Sequence, residues 1–319
     1  MKKYNFFILI GLLLFSSGLW GQESFSWWEA QQNWDGTTHW SSYMILSPDY
    51  MGPNALSVPF FEKGLVSDRS YFKIYSDVWF SAGDQTQDVG GMLYVPVVKN
   101  LIALEVWGVG LEHYSLTEDM AIRRRARHQH PHGTASGDAY FSAVVSLIKD
   151  RKFPDLAFRF VLRTASGGKL EDARYTDAPG YYFDLSFGKN IPLGQKKGNY
   201  FRGYGMLGFY SWQTSLILYR QDDALLYGAG ADFHLANNIF TCSVAGYAGY
   251  LGATKQVIVN PLRPVPFNDR PVVFRFEYSH EWEKWKLDLQ FQSGLHNFDY
   301  RLVRLSVSYF LPDLFHNNR

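Results

Sequence analysis

Hydrophobic and polar residues alternate at every second position in about a dozen segments between residue 71 and the end of the chain. Leu156–Arg163 shows the pattern most clearly. Phe158 and Phe160 would project to one face of a strand, and Arg159 and Arg163 to the other, because successive side chains point to opposite faces. A soluble sheet shows such an unbroken apolar face once or twice. Its recurrence along the chain predicts a closed barrel with an apolar outside and a polar inside.

The alternation predicts an all-β fold, a transmembrane antiparallel up-and-down β-barrel of about 12 strands with an irregular N-terminal arm. An even strand number is usual for single-chain bacterial barrels. Pro96 is expected at a strand end or bulge. The predicted strands lie near residues 71–80, 89–98, 102–107, 137–148, 156–163, 181–187, 200–211, 223–235, 239–251, 272–278, 285–291 and 303–309.

Short and long connections alternate along the predicted strands, which is a second indication of this architecture. The connections expected on one side are mostly short: 98–100, 149–155, 189–199, 236–238 and 280–284. Those expected on the other side include the long segments 114–136, 164–179 and 253–269. A soluble β-sandwich gives no reason for connection length to separate in this way.

Composition agrees with a barrel that crosses a membrane by strands. Aromatic residues make up 18% of the 319 residues, while the mean hydropathy is only −0.20. A membrane helix needs ~20 consecutive apolar residues, and only the N-terminus comes close. Lys2 and Lys3 precede the apolar stretch Phe6–Phe15, and small residues follow up to Gly21. This order predicts a signal peptide over residues 1–21 and export to the outer membrane of a Gram-negative bacterium. An uncleaved anchor is the alternative.

The remaining chain divides into an arm over residues 22–69, the barrel over 70–310 and a tail over 311–319. The arm shows no alternation and contains Trp27, Trp28, Trp34 and Trp40. It is expected to fold into the barrel mouth, line the lumen or lie at the periplasmic rim. Its tryptophans are expected to pack against the barrel or the membrane interface. Stacking on sugar rings is the alternative.

One stretch resembles a known family. It begins at Gly137-Asp138, passes Pro154-Asp155 and Thr164-Ala165-Ser166-Gly167, and continues through Ala173–Gly180 to Tyr181–Gly188. These residues resemble the porin- or transporter-like meta-pathway phenol-degradation family of outer-membrane barrels and related barrels of Bacteroidota. The resemblance covers about residues 136–190. It implies the barrel fold and a passive uptake role, and it brings no catalytic residues.

The inward faces of the predicted strands collect charged residues of both signs. Charge inside a barrel persists only when it is hydrated or paired, so these side chains either form cross-strand ion pairs or line a constriction that selects solutes. Twelve strands lie between filled small barrels and open porins, so both an open and a plugged lumen stay possible. The residues are Lys73, Asp77, Glu105, Asp138, Arg159, Arg163, Asp184, Arg202, Asp232, His234, Arg275, Glu277, Lys286, Asp288 and Arg304.

The longest predicted outer loop carries Arg123, Arg124, Arg125 and Arg127, followed by three alternating histidines. Guanidinium groups suit phosphate, so this cluster is a candidate anion site for lipopolysaccharide or another anion. A solvated loop is the alternative. A metal site at the histidines is not predicted, because no cysteine or carboxylate cluster flanks them.

No enzymatic function is predicted. Asp232 and His234 share a face, as do His113 and Ser115, but neither pair has a recognisable third member. A membrane-embedded hydrolase is therefore only an alternative. The single Cys242 excludes an intrachain disulfide, and the net charge of +1 argues against a nucleic-acid partner.

The sequence favours a passive channel for small polar or amphipathic solutes, without cofactor or metal. A non-conducting structural or binding subunit of an outer-membrane assembly is the alternative. Expected partners are outer-membrane lipids, including lipopolysaccharide, other proteins of such an assembly, and the barrel assembly machinery. The last would read the aromatic end of the final strand, Tyr309-Phe310.

Overall fold

The computed structural model describes residues 25–149, 152–195, 198–212, 223–249 and 269–312. The described helices are α1 (Ser26–Gln32) and α2 (Glu118–Arg124), with 3₁₀ turns at Trp40–Tyr43, Pro48–Tyr50 and Leu170–Asp172. The strands are β1 (Tyr71–Ser81), β2 (Asp84–Val98), β3 (Ile102–Leu116), β4 (His132–Ala135), β5 (Ala139–Ile148), β6 (Asp155–Arg163), β7 (Gly180–Pro192), β8 (Tyr200–Ser211), β9 (Asp223–Leu235), β10 (Asn238–Gly249), β11 (Val272–Glu281), β12 (Trp285–His296) and β13 (Arg301–Phe310).

Twelve of these strands form a closed antiparallel barrel, which confirms the predicted fold. Each pairs with its neighbours in the chain, and β1 closes the sheet by pairing with β13, with Val78 opposite Val303. The short β4 is an extra strand that pairs with the far end of β3, beyond the part of β3 that pairs with β5.

The alternation along each strand separates two surfaces. Large apolar side chains such as Phe72, Leu162 and Phe291 are exposed on the outside, whereas Asp77, Arg159 and other charged side chains are buried inside. A continuous apolar outer surface of this kind is what a bilayer would cover, since soluble proteins rarely expose contiguous apolar patches larger than a few hundred Å².

The connections divide the barrel into two ends. The long-loop end carries α2, β4 and the loop 164–179; the short-turn end carries the connections 99–101, 236–237 and 282–284. Tyr71, the first residue of β1, lies at the short-turn end, where it pairs with Phe310. This separation of connection lengths agrees with the sequence prediction.

Two strands are longer than the sequence indicated. Strand β2 begins at Asp84 and β3 continues to Leu116, whereas the alternation in the sequence predicts strands only over 89–98 and 102–107. Glycines interrupt the pattern here. The Tyr75 ring occupies the space beside Gly90, where a Cβ atom would lie 2.2 Å from it. The register shifts at Val89/Gly90 and again at Pro96/Val98, a bulge where the sequence placed Pro96.

The predicted signal peptide (1–21), nearly all of the connection 253–269 and residues 313–319 of the tail lie outside the described residues. Among the described helices, none is long and apolar enough to cross a membrane.

Candidate functional site: the lumen and its arm

The N-terminal arm runs through the barrel from one end to the other. It starts at the long-loop end, where the Trp28 indole donates a hydrogen bond to the Arg125 carbonyl at 3.0 Å. The Arg127 guanidinium lies 3.5 Å from the centre of the Phe25 ring. Both arginines follow α2, so α1 and its surroundings form part of the cover over this end of the barrel. Trp28 packs inside this cover, as expected for the arm's tryptophans.

The middle of the arm, residues 55–63, passes among arginines of the barrel wall. Arg163 Nη1 donates to the Ala55 carbonyl. Arg275 donates to the carbonyls of Val58 (2.5 Å) and Pro59 (2.9 Å). These contacts lie well inside the barrel, since Arg163 and Arg275 are 2% and 5% exposed.

The arm leaves the lumen at the short-turn end. Gly64 N donates to Ser186 Oγ at 3.1 Å, and Ser67 N donates to Tyr94 Oη at 2.8 Å. Arg69 then pairs with Glu281, beside the turn between β11 and β12. The described part of the arm therefore lies in the mouth at the long-loop end, in the lumen, and finally at the rim of the short-turn end.

A buried charge cluster joins the arm, the wall and the loops near the long-loop end. Asp84 Oδ2 accepts hydrogen bonds from Arg124 (2.6 Å) and Arg174 (2.7 Å) as well as from the Tyr300 hydroxyl. Arg174 also donates to Glu112 Oε1 at 2.7 Å. Since Asp84, Arg174 and Glu112 are fully buried, this network fixes α2 and the loop 164–179 to β2 and β3.

Asn54 connects the arm to the same region. Its Nδ2 atom donates to Asp88 Oδ2 at 2.7 Å and to Glu112 Oε2 at 2.8 Å.

Two other carboxyl groups of the arm have shifted pKa values. Burial raises the pKa of the Asp49 carboxyl, although Asn297 donates a hydrogen bond to it. At the exposed start of the arm, hydrogen bonds from Thr38 and Thr37 lower the pKa of Asp35 to about 2.

A cavity of about 350 Å³ remains between the arm and the wall. Its lining combines tyrosine and tryptophan side chains with charged groups of both signs, including Trp107, Tyr182, Arg304 and Glu105. Two lining side chains that are 3% exposed, Glu105 and Gln290, have atoms without a hydrogen-bond partner among the described residues, Oε2 and Nε2 respectively.

The charged residues predicted to line the lumen have two kinds of partner, and Arg163 has both. Some form ion pairs within the barrel: Arg304 with Asp77 at 2.6 Å, Lys286 and Lys73 with Asp288 at 2.7 and 3.4 Å, and Arg163 with Asp138 at 3.8 Å. Lys286 and Asp288 lie on the same strand, β12. Others hold the arm, namely Arg159, Arg163, Arg202, Asp232 and Arg275. Arg159 also binds Asp184 at 2.8 Å, while Glu277 and Glu105 line the cavity.

The structure does not gather the four outer-loop arginines at one point. Arg123 pairs with Asp299 at 3.0 Å on the surface, and Arg127 stacks on aromatic rings of the arm. Arg124 and Arg125 are 2% and 5% exposed, so a solvated loop does not describe them. Phosphate binding by this cluster stays a prediction. Nearby, His128 Nδ1 lies 2.5 Å from Asp172 Oδ1, and the Tyr114 hydroxyl donates to Asp172 Oδ2 at 2.5 Å.

The residue pairs considered for catalysis are placed as follows. His234 Nε2 lies 3.8 Å from Asp232 Oδ2, and its ring stacks on Tyr200 at 4.0 Å, while Asp232 binds the arm. His113 and Ser115 lie on β3 opposite β4. Among the described residues, no group of three or more histidine, cysteine, aspartate or glutamate side chains could hold a metal ion.

Sequence reasoning did not single out Asp84, Glu112, Asp172 or Arg174, which the structure places in the charge clusters. Asp84 and Glu112 lie on the strands whose alternation is interrupted by glycines, and Asp172 and Arg174 lie in a loop. A buried network between distant segments leaves no periodic signal. The available hint was the polar side chains at every second position of β2, namely Asp84, Thr86 and Asp88.

Comparison with solved structures shows similar barrels. The chain matches an outer membrane channel from Pseudomonas putida F1 with a TM-score of 0.54 and 14% sequence identity, over 80% of this chain and 100% of that chain. It also matches the KdgM porin with a TM-score of 0.43 and 10% identity, over 75% of this chain and 99% of that chain. At 14% identity the likeness to the first of these structures shows the fold alone, that of a closed β-barrel.

No protein-family model matches the chain, and no curated protein matches it. The resemblance to the meta-pathway phenol-degradation family and to barrels of Bacteroidota therefore stays a prediction beyond the general barrel class.

Proposed function

We propose that this protein is an outer-membrane channel for small polar or amphipathic solutes, exported by a cleaved signal peptide. The observation that carries the proposal is the cavity of about 350 Å³ between the arm and the wall. It has the size of a small-molecule site and combines aromatic walls with charged groups. Charged side chains of both signs in the lining, such as Lys73, Glu277 and Arg304, would exchange hydrogen bonds with a solute.

The arm makes the passage narrow. It occupies the lumen along its length, so solutes would pass beside residues 57–63, which line the cavity. The inward charges would then select among solutes by charge and hydrogen bonding, as rings of charged side chains do in other channels. The bilayer would cover the apolar outer surface, with lipopolysaccharide at the long-loop end, and no cofactor takes part.

Planar-bilayer recording tests the channel. We expect small unitary currents from the full-length protein. Glu277→Gln removes a carboxylate from the cavity lining and should lower the permeability ratio of cations to anions. Asp119→Asn, at an exposed position of α2, is the matched control and should leave that ratio unchanged. Correctly inserted protein without unitary currents would contradict the proposal.

The second candidate is a non-conducting structural or binding subunit of an outer-membrane assembly. The observation in its favour is that wall residues hold the arm at every level, from Asn54 through Phe60 to Ser67. If variants with a weakened arm are also silent in bilayers, this candidate is favoured. Co-purification of other outer-membrane proteins with the intact chain would then identify the assembly.

A further inference from the structure

Most of the hydrogen bonds between the barrel wall and residues 55–63 of the arm involve the main chain of the arm and not its side chains. Hydrogen bonds from the wall reach six carbonyl oxygens, those of Ala55, Leu56, Val58, Pro59, Phe60 and Lys63. The donors are five side chains from β6, β8, β10 and β11. They are Arg159, Arg163, Arg202, Tyr247 and Arg275, and each is 5% exposed or less.

These contacts do not depend on the arm's sequence. Every polypeptide in an extended conformation presents a carbonyl oxygen at each residue. Within residues 55–63, the wall forms ion pairs with only two side chains, Glu62 through Arg159 and Lys63 through Asp232. The remaining recognition of this segment is by carbonyl contacts and by apolar packing. Phe61 packs against Tyr204, and Ala55, Leu56 and Val58 are buried in one core cluster with wall residues such as Tyr182.

The wall donors need an occupant of this kind. A buried guanidinium whose hydrogen-bond acceptors are removed carries a large desolvation cost. Arg275 illustrates this, because among the described residues its Nη atoms donate hydrogen bonds only to the arm carbonyls, while its Nε donates to Gln292. Small barrels are usually filled by their own inward side chains. Here the wall is instead complementary to a polypeptide main chain.

We propose that the lumen is a binding site for extended polypeptide, which the arm occupies, and that short peptides in extended conformation are among the channel's solutes. Binding of a peptide follows from the five wall donors, whereas its passage through the barrel rests on the proposed channel function. A fixed plug that recognises only its own sequence is the competing outcome.

The arm has an advantage over any free peptide because it is joined to β1. A tethered ligand acts at an effective concentration in the millimolar range for a short linker, so a free peptide competes only when the arm is weakened. Asn54 and Lys63 are two of the arm's polar side-chain anchors, and neither binds one of the five wall donors through its side chain. The double variant Asn54→Ala/Lys63→Ala weakens the arm and keeps all five wall donors.

The experiment uses this full-length double variant in planar bilayers and in detergent micelles. Three probes are compared: a peptide with the sequence of residues 54–64, a peptide of the same composition in scrambled order, and polyethylene glycol of similar length. We expect both peptides to block the current reversibly, with affinities within about threefold of each other, and polyethylene glycol to block at least tenfold more weakly. Block by the native sequence alone, or by neither peptide, would overturn the proposal.

Fluorescence anisotropy with a labelled scrambled peptide separates this proposal from the channel itself. Adding Arg275→Gln to the double variant should weaken peptide binding at least tenfold, because two carbonyl contacts depend on that guanidinium. Adding Arg301→Gln, at an exposed position of β13, should not change it. Peptide binding without any conductance would refute the channel and keep the binding site; conductance without peptide binding would do the reverse.

Discussion

Lys63 Nζ lies 2.9 Å from Oδ2 and 3.0 Å from Oδ1 of Asp232, although 169 positions separate the two residues in the chain. Lys63 belongs to the arm and Asp232 to β9. Thr241 also donates to Asp232, at 2.8 Å. This ion pair therefore fastens the arm to the wall near the short-turn end, on the inside of the barrel.

Replacing Asp232 by asparagine should loosen the arm. The change removes the charge that binds Lys63 and leaves a partly buried ammonium without its carboxylate, at a cost of about 1–3 kcal/mol. Amide hydrogens of residues 55–67 should then exchange about 5- to 150-fold faster, as that energy implies. Hydrogen–deuterium exchange of the purified protein measures this. Lys284→Gln, an exposed change at the same end, should have no effect, and unchanged exchange in Asp232→Asn would show that the arm does not depend on this pair.

Asp84 should be far more important for stability than a surface carboxylate of the same loops. Asp84→Asn leaves Arg124 and Arg174, both fully buried, without their shared negative charge, and breaking such a buried pair costs about 3–5 kcal/mol. Asp299→Asn breaks the exposed pair with Arg123, which is worth about 0–1 kcal/mol. Denaturant unfolding in detergent compares the two. Equal losses would mean that the Asp84 network does not stabilise the barrel.

The barrel was predictable from the sequence because its two surfaces face different solvents. Strands such as β6 alternate between outward apolar residues and an inward face that carries charged residues, and this pattern is visible within a few consecutive residues of the sequence. The number of strands and the separation of short and long connections follow from it. Strands β2 and β3 were underestimated, because Gly90, Gly91 and Gly108 leave gaps in the alternation that only packing, such as that of Tyr75, explains.

The arm's path was not predictable in the same way. Residues 55–63 have no periodicity, since most of their wall contacts use carbonyl oxygens, which every residue has. The alternation predicts that the arginines of β6 face a polar lumen. It does not predict which groups Arg159 and Arg163 each bind there. The structure shows that both bind the arm, while each also has a carboxylate neighbour, Asp184 and Asp138 respectively.

The path of the arm makes a prediction about topology. Glu29 in α1 and His130 lie at the long-loop end, whereas Glu283 lies at the short-turn end, and all three are exposed. In a Cys242→Ser background, a cysteine at Glu29 should react with a membrane-impermeant maleimide on intact cells whenever one at His130 does. A cysteine at Glu283 should react only after the outer membrane is permeabilised.

The agreement between the Glu29 and His130 cysteines does not depend on which end faces outward, whereas the result for Glu283 requires the long-loop end to face outward. If the Glu29 cysteine reacted together with the Glu283 cysteine and not with the His130 cysteine, the arm would not cross the barrel in the membrane.

The outer surface predicts a depth-dependent response to charge. Phe291 lies in the middle of β12 and Trp285 at its short-turn end, and both point outward. An arginine in the middle of a lipid-facing strand costs about 2–4 kcal/mol, whereas one near the interface costs about 0–1 kcal/mol. Phe291→Arg should therefore destabilise the protein much more than Trp285→Arg when unfolding is measured in lipid bilayers. Both changes remove an aromatic side chain from the same strand and face, so the difference between them reports the depth of burial in hydrocarbon. Equal effects would mean that this surface does not face a bilayer, and the proposed outer-membrane channel would fail with it.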